Sequence, residues 1–128
     1  MSAMSDYLEN EILDHILGTG AYTMPITVYV GLSTASFNDD NSGTELTGNN
    51  YAREVITFGA AASGVASNSA AVEFNAATGS WGTVSHFGLF DAVSGGNLLI
   101  HGALTASKVI ASGDILKIAI GDMDITAA

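Results

Sequence analysis

The chain has no cysteine, a single proline and only three basic residues, Arg53, Lys108 and Lys117. Without cysteine, disulfides, thiolate metal sites and cysteine nucleophiles are all excluded. Three bases against thirteen acids leave the 128 residues with a net charge of −10. Nucleic-acid binding relies on lysine and arginine to displace phosphate counterions, so this balance argues against it. It argues equally against adsorption to an anionic membrane leaflet. Long apolar runs are missing too: none approaches the roughly 20 residues of a spanning helix. The first residues turn acidic by Asp6, the reverse of a secretory signal, so synthesis in the cytosol is expected. Charged residues reach only 12 %, against about a quarter in ordinary globular domains. A surface made largely of Ser, Thr, Asn and Gly has few long side chains to immobilise, and a partner can cover it at modest entropic cost.

What is present divides into one helix and many short strands. Leu8, Ile12, Leu13, Ile16 and Leu17 recur at helical spacing, with Glu9, Glu11 and Asp14 off that stripe. Asp6 is the expected N-cap, paired with Glu9, and Gly18 the expected stop. So short a helix is marginal alone in water and must dock on something, either its own domain or a neighbouring subunit. From Met24 onward the pattern is β. Ile26–Leu32 and Tyr51–Phe58 read as strands, and Ala70, Val72 and Phe74 alternate. Val84–Phe90 and Asn97–Leu104 flank Ser94-Gly95-Gly96 as a hairpin. Lys108–Ile110 and Ile115–Ile120 flank 111–114 as a second hairpin, and a last run covers Met123–Thr126. Fifteen glycines suit many tight turns. The expected fold is mainly β, an antiparallel β-sandwich or jelly roll of about seven or eight strands with one N-terminal α-helix. A docking helix over residues 1–20 and a sandwich over 21–128 would share the chain. Two irregular stretches, Ser36–Asn50 and Gly59–Ser67, are better candidates for contact surfaces than for catalysis.

Chemical motifs are weak throughout. The loop Asn38–Glu45 is rich in oxygen ligands, but counted from Asp39 it fails the EF-hand pattern at positions 5, 6 and 12. A looser calcium site and a plain solvated turn both stay open. His86 and His101 fall in neighbouring strands and His15 on the helix, with no HxH or HExxH spacing. There is no GxSxG elbow, no SxxK and no P-loop. No catalytic residue, cofactor or metal is expected. Trp81 would close one end of the core, with a sugar-stacking platform as its rival role. Arg53 would tie strands or loops through carbonyls or a carboxylate, with a partner-facing position as the alternative.

Several segments together carry a resemblance. They are Leu8–Gly18, Tyr51-Ala52-Arg53, Ser67–Phe74, and Trp81–Asp91 running into Gly95–Leu99. In their order and spacing the chain resembles a small family of tailed-bacteriophage virion proteins, often labelled tail-fibre or virion structural proteins. In size and expected fold it is also similar to the jelly-roll cement or decoration proteins of phage heads. The resemblance implies a virion component and carries no catalytic residue across. Between head and tail, the residues favour the head: tail-fibre shafts are long coiled coils or β-helices, and this chain has neither heptads nor repeats. The expected role is a capsid cement or decoration protein on the head exterior, binding the major capsid protein and sister copies as a dimer or trimer. The alternative is a tail or tail-fibre-associated structural or adhesion protein. Leu8, Ile12, Leu13 and Ile16 of the helix, Asp39 and Asp40 of the loop, and Arg53 are the residues expected to meet partners. No nucleic acid, membrane or small-molecule substrate is expected.

Overall fold

A computed structural model describes residues 2–127. In chain order the elements are β1 (Ser2–Met4), α1 (Asp6–Leu17), β2 (Val28–Ser33), β3 (Glu54–Ile56), β4 (Val65–Ser67), β5 (Val72–Glu73), β6 (Gly82–Phe90), β7 (Leu98–Ile110), β8 (Lys117–Ile118) and β9 (Asp124–Thr126). Five of these strands form an antiparallel sheet in the order β1-β7-β6-β2-β3. The alternation of β2 and β6 sorts their side chains: Val30, Leu32, Phe87 and Leu89 enter the main core, whereas Gly31 and Gly88 face each other across the ladder. Opposite the core face lies a thinner layer in which β5 pairs with β8 and β4 with β9. Val72, Phe74, Leu116, Ile118 and Met123 from this layer complete the core. The result is the expected mainly β sandwich with one helix.

The chain changes layer after β3. Phe58 bridges Asn68, and Ala62 bridges Val65 across a turn at Ser63 and Gly64. Both turn residues have positive φ (54° and 78°), as tight hairpin turns require. Asn68, buried, then locks the second layer. Its Nδ2 donates to the Ala119 carbonyl at 2.9 Å, and its Oδ1 accepts from the Met123 amide at 2.9 Å.

Three local expectations are corrected. Residues 2–4 form a strand, pairing with Gly102–Ile100 of β7, and the N-cap is Ser5 instead of Asp6. Ser5 wins because it serves two elements at once. Its Oγ accepts from the Leu8 amide at 3.2 Å and donates to the Leu98 carbonyl at 2.5 Å. The second expected hairpin does not form, because β8 pairs with β5 and not with the end of β7. The 111–114 turn swings the chain across to the other layer, where the Ala77 amide donates to the Asp114 carbonyl at 2.9 Å. Finally, period-two alternation along Val84–Phe90 predicts that Val84 shares the face of His86, Gly88 and Phe90, and Val84 leaves that face. A register shift between Val84 and His86 breaks the period-two alternation and turns Val84 into the core.

Candidate functional site

Helix α1 is the first candidate surface. Gly18 ends it in the left-handed conformation at φ 80°, and the amides of Thr19 and Gly20 then return to the Asp14 carbonyl. His15 Nδ1 accepts from the Tyr22 amide at 3.2 Å, which fixes the chain as it turns back. The apolar stripe splits along this helix. Leu8 is buried and Ile12 half-buried, whereas Leu13, Ile16 and Leu17 are 55 %, 71 % and 72 % exposed. The underlying strand β7 covers only the N-terminal part of the stripe. Positions 6, 9, 13, 16 and 17 share one helical face by their three- and four-residue spacing, and all five are exposed. The outward ridge therefore carries Asp6 and Glu9 at one end and three aliphatic side chains at the other.

The second candidate, the loop 36–50, lies across the outer face of the sheet and is pinned there. The Leu46 amide donates to the Leu32 carbonyl at 3.0 Å, the Asp6 amide to the Asp39 carbonyl at 2.9 Å, and Ser33 Oγ to the Thr44 carbonyl at 2.6 Å. Beneath it Phe37, Phe90 and Leu98 make a small second core. The facing glycines Gly31 and Gly88 form its floor. A Cβ on Gly31 would stand 2.7 Å from Glu45 Oε2, and one on Gly88 would stand 3.0 Å from the Phe90 ring. Only glycine lets the Glu45 carboxylate and the Phe90 ring lie so close to the backbone.

Arg53 caps this arrangement. Its guanidinium stacks 3.5 Å over the Phe90 ring. Nε and Nη2 donate to the Glu45 carboxylate, while Nη1 donates to the carbonyls of Ala92 and Gly95 in the β6–β7 turn at 2.8 and 2.9 Å. The side chain is 8 % exposed. Arg53 therefore takes the tying role and not the partner-facing one, because strand, loop and hairpin turn converge on its fork of donors. Tyr51 joins the same knot: its hydroxyl donates to Glu45 Oε2 at 2.5 Å and accepts from the Leu32 amide at 2.9 Å. Burial, with the Glu45 carboxylate beside it, pushes the Tyr51 phenol far above its ordinary value.

The loop acids diverge. Asp39 hydrogen-bonds His101 Nε2 at 2.7 Å, Asp40 accepts from the Ser42 amide at 3.0 Å, and Glu45 belongs to Arg53 and Tyr51. The Ser42 bonds hold the Asp40 carboxyl below its ordinary value. Asp39 and Asp40 remain exposed at the surface, but Asp39 is engaged with His101 and with the start of α1. Among the described residues no three His, Asp or Glu side chains converge in a way that could hold a metal ion. His86 is separate from His101 in its bonding, with Nδ1 on Ser85 Oγ at 2.7 Å. Trp81 is buried, its Nε1 donating to the Asn49 carbonyl at 2.9 Å. It packs edge-on against Tyr51 and Phe74, so it closes the core and presents no stacking face.

A third surface escaped the sequence reading. Two adjoining hollows of about 240 Å³ each lie between β7 and the 117–126 segment, sharing Leu104, Asp122 and Met123. Lys108 and Lys117 line the first. The sole hint in the sequence was the scarcity of cations, which made their placement informative.

What these surfaces offer is contact area. A family described as podophage GP4 fiber I protein gp80 matches residues 3–126. The chain belongs to this family. Membership in the gp80 family makes it a phage structural protein of the virion, in agreement with the resemblance drawn from its motifs. The gp80 description names a fibre protein, which fits the tail-fibre alternative better than a place in the head lattice. No curated protein matches the chain.

Proposed function

We propose that the protein is a non-enzymatic structural subunit of a podophage tail-fibre assembly, and not a cement of the head lattice. The observation that carries this reading is the match to a fibre-protein family across residues 3–126. The geometry supports a subunit role: Leu13, Ile16 and Leu17 of α1 stand exposed as apolar contact area. The exposed ridge of α1 and the cleft beside β7 are surfaces available for assembly. The chain's β-sandwich serves as a brick or collar of a fibre.

Counting copies in purified virions by quantitative mass spectrometry against the major capsid protein tests this. A count of a few to a few dozen per particle, with immunogold label on the tail, is the expected result. A simple stoichiometric ratio to the capsid subunit would overturn it and restore the head-cement reading.

A further inference from the structure

The charges of this molecule are unevenly placed. Of three basic residues, Arg53 is buried, so every exposed lysine or arginine lies in the cleft between β7 and β8: Lys108 and Lys117. Lys117 makes a loose, exposed pair with Glu73 at 3.5 Å, and Lys108 makes no ion pair among the described residues. The floor between them is apolar, made by Leu104, Ile118 and Met123, and Asp122 also lines the hollow. On a different element the ridge of α1 presents the converse pattern, with Asp6 and Glu9 beside Leu13, Ile16 and Leu17.

We propose that these two surfaces are complementary and that copies of this chain associate head to tail, the α1 ridge of one seated in the lysine cleft of the next. The occupant follows from charge. With thirteen acids and a net charge of −10, contact between two copies elsewhere on the surface brings no lysine or arginine to offset the acids. The cleft is the one place where a carboxylate-bearing face meets exposed lysines. Pairing α1 with α1 across a two-fold would instead oppose Asp6 and Glu9 to their own copies if parallel, or to Leu13, Ile16 and Leu17 if antiparallel, with no lysine or arginine across from them in either case. Seating the ridge buries Leu13, Ile16 and Leu17 on Leu104, Ile118 and Met123, while Glu9 and Asp6 reach Lys108 and Lys117. The ridge and the cleft are different patches, so the contact is heterologous and closes into a ring or runs on as a filament. This inference goes beyond the fibre assignment and holds wherever the chain sits in the virion.

Sedimentation equilibrium of the full chain, at about 20 mM and at about 500 mM salt, provides the test. The wild-type chain is expected to associate reversibly, more weakly at high salt. Lys108→Glu with Lys117→Glu should weaken association at least about tenfold, roughly 1.4 kcal/mol. Adding Glu9→Lys to that double variant should restore a large part of the loss, and Glu9→Lys alone, which makes the chain less acidic, should weaken association, the opposite of a general charge effect. Leu13→Ser and Ile16→Asp, each verified as folded by circular dichroism, should weaken association at both salt concentrations. A monomeric wild-type chain at low salt overturns the inference. So does association that the lysine variants leave unchanged, or a Glu9→Lys change that restores nothing. Failure here leaves the copy number untouched, so the two readings fall separately.

Discussion

The knot around Arg53 and the ridge of α1 lie on the same molecule and have opposite fates. In the knot, a guanidinium, a carboxylate, a phenol and an aromatic ring satisfy one another over two facing glycines. On the ridge, Leu13, Ile16 and Leu17 stand in solvent with nothing of their own chain over them. Both regions read in sequence as candidates for partner contact. The difference teaches that a rare, multiply donating residue inside a fold is drawn inward by the carbonyls around it. An apolar stripe longer than the sheet beneath it is left outside.

Arg53→Ala breaks the comparison most severely if the knot is structural. It leaves the Glu45 carboxylate without its partner under the loop, and a loss of about 3 kcal/mol is expected, measured by urea unfolding. A loss below about 0.5 kcal/mol would place the knot among ordinary surface pairs. Ser5→Ala should follow at about 1–2 kcal/mol, since one hydroxyl both caps α1 and bonds β7. Thermal melts of this variant would show whether the helix anchor is as firm as the knot.

Alkaline pH sharpens the contrast further. Tyr51 keeps its proton in the fold at pH values where an unfolded tyrosine, near 10, gives it up. The folded chain then holds more protons than the unfolded one, so stability is full below pH 10 and falls as pH rises beyond it. The slope from this group is at most about 1.4 kcal/mol per pH unit. Tyr51→Phe should start from lower stability at neutral pH and decline less steeply, as followed by fluorescence of the single tryptophan. An unchanged alkaline slope would assign the effect to other tyrosines. The smallest effect on folding belongs to the ridge: Ile16→Asp should shift the unfolding free energy by no more than about 0.5 kcal/mol. A large loss there would mean that the ridge is part of the protein's own core.

Several features were legible before any coordinates. The helix and its Gly18 stop, the Val84–Phe90 hairpin with its partner, and the alternation of Val72 and Phe74 all follow from local rules, because spacing and turn residues act over a few positions. Core placement of Trp81 could be read from its flanking turn. The long loop was visible as a loop, yet its attachment to the sheet was not, since nothing local announces that Gly31 and Gly88 will make room for Glu45 and Phe90. The second expected hairpin failed for the same reason: pairing of 117–118 with 72–73 spans a distance along the chain that turn chemistry does not encode.

By itself the amino-acid sequence determined the class of this protein. It dictated an acidic β-domain with a short amphipathic helix, no thiol chemistry, and motifs that place it in a phage structural family. Tertiary structure alone decided which half of the helix stripe is covered, that Arg53 turns inward, and that the two exposed lysines share one cleft. The physical reason is range. Periodicity, capping and turn propensity are set by neighbours along the chain, whereas burial and charge pairing depend on groups that only folding brings within a few ångströms.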